Sequence, residues 1–203
     1  MKPEINDHGC WIGAGSLPHV HDMGLQVGLC EFLEPELGTS FHGPIVLGGP
    51  SVIDLGCGMG DYVRAFRLVG IDARGFDGNP DTFKLSSELC HTLDLAVPYR
   101  GVMRYYDWAM CLEVLEHIPK EFEQQALDNI VGFAGIGVIT SWATPGQGGS
   151  GHFNERPLAY ATQQFADRGF ELDTDATKRL RECSTRVWFK NNLLVLRRRK
   201  TNE

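Results

Sequence analysis

Short apolar runs alternate with amphipathic stretches along most of this chain, beginning at about Pro44. Ser51 to Leu55 predicts a strand that ends at Gly56, and Asp61 to Val69 a helix with Val63, Phe66 and Val69 on one face. Asp72 to Asp77 predicts a second strand, Thr82 to Leu89 a second helix and Thr92 to Leu95 a short third strand. Asp107 to Leu112 is a fourth strand, and Glu121 to Phe133 is amphipathic, with Phe122, Ala126, Leu127, Ile130 and Phe133 at helical spacing. Ile136 to Trp142 reads as a fifth strand, and Pro157 to Arg168 as a helix closed by Gly169. The tail from Arg186 to Arg198 alternates, then runs apolar through Leu193-Leu194-Val195-Leu196, as a buried strand does. A hairpin from about Phe170 onward would add an antiparallel C-terminal edge strand to a mostly parallel sheet. Such alternation of strands and helices specifies an α/β fold with helices on both faces of the sheet. Residues 1–43, rich in Gly and His with one helical piece from Asp22 to Leu33, stand apart from that pattern as an N-terminal segment before the domain of residues 44–203, one structural domain overall.

Charge narrows the partners. The 203 residues carry a net charge of −7, the opposite of the basic surface that phosphate-binding proteins present, so no nucleic-acid partner is expected. The one dense basic run, Arg197-Arg198-Arg199-Lys200, follows an apolar stretch and reads as a solvated end. Six cysteines are scattered without a Cys-x-x-Cys pair, which argues against zinc-ribbon and redox-motif readings. Cys57 and Cys111 read as small core residues, and a reducing, cytoplasmic compartment fits (the host cytoplasm if the source is viral). No apolar signal core opens the chain and no stretch approaches membrane-spanning length, so no membrane partner is expected.

The first strand runs into Asp54-Leu55-Gly56-Cys57-Gly58-Met59-Gly60-Asp61. Alternate glycines let a backbone turn tightly against a ligand at the carboxyl end of a strand, and the following helix offers free N–H groups. A nicotinamide-dinucleotide turn would need glycine where Asp61 stands. The acid before the turn also suits a cationic ligand better than a pyrophosphate. Asp77 ends the next strand, seventeen residues past Gly60, where a carboxylate can accept both ribose hydroxyls.

Val52 to Gly60 resembles motif I of class I S-adenosylmethionine methyltransferases, and Gly75-Phe76-Asp77-Gly78-Asn79 resembles their ribose-binding motif. Leu93-Asp94-Leu95 resembles the segment whose acid meets the adenine amine, and Asp107 to His117 resembles motif IV. The resemblance spans roughly residues 50–200. It implies a Rossmann-like sandwich binding S-adenosylmethionine through Asp54, Gly56, Gly58, Gly60, Asp77, Asn79, Asp94 and Leu95. An N-terminal segment often caps the cofactor in such enzymes; here it holds Trp11, His19 and His21 before the helix.

Glu113, Glu116 and His117 stand at i, i+3 and i+4 where the fourth strand feeds a helix or turn, a spacing that shares one helical face. With His152 from the loop past the fifth strand they could ligate a divalent cation, Mn²⁺ or Mg²⁺. Glu-x-x-Glu-His with a downstream His resembles the metal site of small-RNA 3′-end ribose methyltransferases, and its first part resembles ubiquinone-pathway O-methyltransferases. Many metal-free relatives carry the same run, with the histidine packed near the cofactor. His152 and His117 are the catalytic candidates, as base or metal-bound organiser. The loop from Ser141 to Pro157 reads as a glycine-rich mobile lid, with Trp142, Gln147 and Asn154 placed to meet a carbohydrate acceptor. That loop followed by Pro157 to Phe170 resembles methyltransferases encoded with, or fused to, glycosyltransferases in bacteria, phages and large algal viruses, which implies a glycosyltransferase partner and a sugar such as rhamnose as acceptor. Methylation of a small non-sugar metabolite, RNA ribose methylation and a catalytically inactive cofactor-binding module stay open.

Overall fold

The computed structural model describes residues 4–13, 21–33, 50–101 and 105–200. A two-stranded hairpin comes first, β1 (Glu4–Ile5) and β2 (Trp11–Ile12), followed by α1 (Met23–Leu33). The α/β body then runs β3 (Ser51–Leu55), α2 (Asp61–Leu68), β4 (Asp72–Asp77), α3 (Thr82–Leu85), β5 (His91–Thr92) and β6 (Tyr106–Leu112). It continues with α4 (Glu123–Phe133), β7 (Ala134–Ser141), α5 (Leu158–Ala166), β8 (Phe170–Leu172), α6 (Thr174–Cys183), α7 (Val187–Asn192) and β9 (Leu194–Arg198).

Seven strands form one sheet in the order β5-β4-β3-β6-β7-β9-β8. The first five are parallel, and β9 pairs antiparallel with both β7 and β8. The period of two along each strand builds two cores. Ile53, Leu55, Ala109, Cys111 and Val138 face α4 and α5, while Val52, Trp108, Met110, Ile139 and Val195 face the side of α1, α2 and α6. Leu25, Leu29 and Leu33 of α1 belong to that second core.

Three local expectations fall short. The helix from Thr82 stops at Leu85 because Ser87 and Glu88 take positive φ, 56° and 68°. The third strand is only His91–Thr92, so Leu93, Asp94 and Leu95 run past it as a loop. Between β8 and β9 there is no tight hairpin. α6 and α7 fill that interval, and the residues before Leu193 are helical, with Phe189 and Asn192 buried at a spacing of three. β9 consequently inserts between β7 and β8, and β8 takes the edge.

One buried acid ties the N-terminal segment to the body. Asp22 is fully buried and accepts hydrogen bonds from the Leu25 amide at the start of α1, and from Ser184 Oγ and the amides of Thr185 and Arg186 beyond α6. Burial pushes its carboxyl up, but these donors outweigh burial and hold it at about 2. Its folded-state value is therefore depressed, so its stabilisation is fully present above pH 4 and fades toward pH 2. Asp22→Asn should lose about 2–3 kcal/mol in urea unfolding at pH 7, and its gap from the parent should narrow as pH falls from about 4 toward 2. A gap that stays constant with pH would remove the ionised carboxylate from this role.

Candidate cofactor and acceptor site

At the carboxyl end of β3 the chain turns through Gly56, Gly58 and Gly60, all at positive φ (84°, 54° and 79°). The Gly56 and Cys57 amides donate to the Phe76 carbonyl at 2.7 and 3.0 Å, and the Gly58 amide to Asp77 Oδ2 at 2.9 Å. A Cβ on Gly56 would lie 2.2 Å from Val114 Cγ2, so the turn also needs glycine for room. Beside the turn lies a cavity of about 490 Å³ reaching from the end of β5 to the end of β6.

Asp54, Gly56, Gly58, Asp77, Asp94 and Leu95 line this cavity, as the cofactor reading requires. Gly60 and Asn79 do not. Gly60 starts α2 against Cys90, and Asn79 is buried, building the next turn by accepting from the Asp81 amide. Asp54 is buried with Oδ2 unpartnered, and burial raises its carboxyl well above the usual range. An unpaired buried acid oxygen facing a cavity suits a cationic ligand.

The roof of the cavity comes from the N-terminal segment. The hairpin lays His8, Gly9, Cys10 and Trp11 over it, and His8 Nδ1 meets Asp94 Oδ2 at 2.5 Å. His21 also lines the cavity, whereas His19 lies outside the described residues. Trp188 and Phe189 of α7 close the far wall.

At the β6 end, the expected helical face is absent. Glu113 sits at φ 53°, and residues 114–118 form a turn in which the His117 amide donates to the Val114 carbonyl. Glu113 lines the cavity and accepts from Gln147 Nε2 and Asn192 Nδ2, each at 2.7 Å. Glu116 is fully buried, and neither carboxylate oxygen has a hydrogen-bond partner. Burial first, and then the neighbouring Glu113, raise its carboxyl well above the usual range. Donor atoms of Glu116, His117 and His152 lie within 4.8 Å of one another, and Glu113 is outside that set.

Both imidazoles are oriented from behind. His117 Nδ1 is 3.0 Å from the Gly151 carbonyl, which fixes the proton on Nδ1 and leaves Nε2 as the acceptor. Burial lowers the His117 imidazole below its usual range, so this neutral form is favoured. His152 Nδ1 meets Glu155 Oε1 at 3.2 Å, and the rings of His117 and His152 stand edge to face at 5.1 Å. Bonds of about 2.0–2.2 Å allow donors around one ion to stand no more than about 4.4 Å apart, so the trio fits a divalent cation after a contraction of a few tenths of an ångström.

Two of the expected acceptor contacts are elsewhere. Trp142 is in the core, its indole donating to the Asn154 carbonyl, and Asn154 is buried with its amide on Glu123. Gln147 is engaged by Glu113 and Asn192. Nor is the glycine loop loose, since the Gly146 and Gly148 amides both donate to the Glu155 carboxylate at 2.8 Å. The tryptophans on the cavity wall are Trp11 and Trp188, both half-buried, and they lie far from that loop in sequence.

Comparison with known proteins places the fold. The crystal structure of magnesium protoporphyrin IX methyltransferase from Synechocystis PCC 6803 with bound S-adenosylhomocysteine aligns at TM-score 0.58 and 18% identity, covering 92% of each chain. The sugar N-methyltransferase structure from Streptoalloteichus sp. aligns at TM-score 0.61 and 14% identity, covering 86% of this chain and 88% of that one. In sequence, 82 residues are 33% identical to a ubiquinone biosynthesis O-methyltransferase of Methylococcus capsulatus, a match spanning 36% of this chain and 35% of that protein. No family model matches the chain. The chain has the class I methyltransferase fold, a seven-stranded Rossmann-like sheet with its antiparallel strand near the C-terminus.

Glu155 is the residue that shapes the loop. In Glu155→Ala the Gly146 and Gly148 amides lose their acceptor, and their hydrogen exchange should quicken by at least about tenfold. Unchanged protection would show that the loop is held by something else.

Proposed function

We propose that this chain is an S-adenosylmethionine-dependent O-methyltransferase whose acceptor is a hydroxyl of a sugar or glycan. The cofactor lies along the turn, with its ammonium and sulfonium end toward Asp54, its ribose on Asp77 and its adenine beside Asp94 and Leu95. The observation that carries the reading is that His117, on the wall of the Asp54 cavity, belongs to the Glu116, His117 and His152 trio, whose other two members stand behind that wall.

Methyl transfer is an in-line displacement that the cofactor itself activates, so the chain's task is to orient and desolvate the two reactants. A hydroxyl is a weak nucleophile at neutral pH and needs its proton removed. His152, held through Nδ1 by Glu155 and packed against the ring of His117 on the cavity wall, is the base of this reading. Glu116, His117 and His152 are the residues that would hold a divalent cation, and the orphaned Glu116 oxygens fit that role. Such an ion, when bound, lowers the pKa of a coordinated hydroxyl. Two imidazole donors favour Mn²⁺ over Mg²⁺. Trp11 and Trp188 supply aromatic faces of the kind that stack on sugar rings, and a sugar methyltransferase stands among the structural neighbours. A phenolic acceptor is the second reading, favoured by the 82-residue match to the ubiquinone-pathway enzyme. The net charge of −7 weighs against RNA.

Asp77→Ala should weaken S-adenosylhomocysteine binding by on the order of 1.5–3 kcal/mol by calorimetry; unchanged affinity would move the ribose elsewhere. A panel of glycosides, phenols and oligoribonucleotides, assayed with labelled methyl donor, tests the acceptor. Activity confined to phenols or to RNA overturns the sugar reading. Chelation should suppress turnover while leaving cofactor affinity intact, with Mn²⁺ restoring it. Glu116→Ala and His152→Ala should then be far from additive, as ligands of one ion are. Full turnover after exhaustive chelation eliminates the metal, and the pH profile of turnover then tests His152 as base.

A further inference from the structure

Cys57 stands between two glycines of the cofactor turn and lines the cavity, while Cys90, just before β5, is fully buried. They meet beneath β4. A Cβ on Gly75 would lie 2.5 Å from Cys90 Sγ and 2.9 Å from Cys57 Sγ, so the absence of a side chain there leaves the notch in which both sulfurs sit. A Cβ on Gly60 would likewise lie 2.7 Å from Cys90 Sγ, which wedges that sulfur against the last glycine of the turn. The thiols are close enough to shift each other, Cys57 upward and Cys90 downward, as two groups sharing one proton do. A core-filling cysteine needs no second thiol facing it and no route to a ligand cavity. This pair has both.

We propose that Cys57 and Cys90 are a modification site for hydroperoxides, and that their disulfide closes the cavity to the cofactor. The gating rests on the cofactor reading above; the thiol pair does not. Hydrogen peroxide entering the empty cavity meets Cys57. Cys90 takes the Cys57 proton as the Cys57 sulfur attacks one peroxide oxygen; the O–O bond breaks, a sulfenic acid forms, and the departing hydroxide recovers that proton from Cys90 and leaves as water. The Cys90 thiolate then attacks the Cys57 sulfur, the S–O bond breaks and a second water leaves. Two thiols are oxidised and one peroxide is reduced. An S–S bond of about 2.05 Å draws Cys57 toward β5 and takes with it the Gly56 and Gly58 backbone that lines the cavity. Bound cofactor covers Cys57 and protects it.

The full chain, reduced and then exposed to hydrogen peroxide with or without S-adenosylhomocysteine, tests this by non-reducing peptide mapping and calorimetry. The expected result is a Cys57–Cys90 linked peptide, a tenfold or greater loss of S-adenosylhomocysteine affinity reversed by dithiothreitol, and slower linkage when that ligand is already bound. Cys90→Ser should keep the reduced affinity and lose the peroxide response, with Cys90→Ala as a second variant for a poorly folding first. Absence of the linked peptide overturns the pair. A linked peptide with unchanged affinity, or a Cys90→Ser protein as sensitive as the parent, overturns the gating. A reduced parent chain that does not bind S-adenosylhomocysteine overturns the cofactor reading and the gating together, while the peptide map still decides the thiol pair.

Discussion

The amides of Gly56, Cys57 and Gly58 point away from their own strand, and the end of β4 satisfies all three, through the Phe76 carbonyl and the Asp77 carboxylate. The parallel register that sets Leu55 beside Phe76 brings those acceptors to the turn. Buried or half-buried amides without partners would cost about 1–3 kcal/mol each, so the turn is shaped by the neighbouring strand as much as by its glycines. Asp77 serves twice, since its other oxygen receives the Asn79 amide and fixes the next turn. The strand order reverses between β3 and β6, and the cavity opens at the carboxyl ends of the strands around that point.

The β6 end depends on a second anchor. Glu123 at the start of α4 is a buried carboxylate that receives the Tyr160 hydroxyl, the Asn154 amide and the Arg156 guanidinium. Burial alone would raise its carboxyl, but these donors hold it below the usual range. The loop beyond β7 is thereby pinned to α4 at its far end, while Glu155 gathers its glycines and Gly151 meets His117. A histidine pair with both Nδ1 atoms engaged keeps its Nε2 atoms available, and second partners of this kind fix tautomer and ring orientation together.

What could be read in the sequence is what local physics encodes. Most of the strand and helix rhythm, the glycine turn and the position of Asp77 at the end of β4 follow from spacing along the chain, while the short α3 and β5 and the helices α6 and α7 depart from it. The acceptor end was misread where a residue's role depends on a distant partner. Trp142 and Asn154 flank a glycine loop, and an aromatic beside polar groups looks the same whether it faces a ligand or, as here, bonds across the core. His8 on Asp94 joins residues 86 apart, and Asn192 on Glu113 joins residues 79 apart, distances at which periodicity carries no signal. Glu113, Glu116 and His117 do not share a helical face, because Glu113 takes a left-handed conformation and its side chain turns toward Asn192, which leaves Glu116 and His117 to gather with His152.

That division follows from how the fold is built. The sheet and the turn after β3 need only a handful of local features, and one such framework carries many chemistries. In the proposed reading, selectivity for an acceptor comes from the hairpin, the loop beyond β7 and α7, which bring Trp11, Ser150 and Trp188 to the cavity wall from three separate stretches of chain. Each is fastened by its own polar contact, His8 to Asp94, Gly146 and Gly148 to Glu155, and Asn192 to Glu113. Glu113 is where two of them converge, since it takes Gln147 from the loop and Asn192 from α7 on its two oxygens. With both oxygens engaged in this way, Glu113 joins the walls of the acceptor end, and Glu116 behind it is the carboxylate left without a partner.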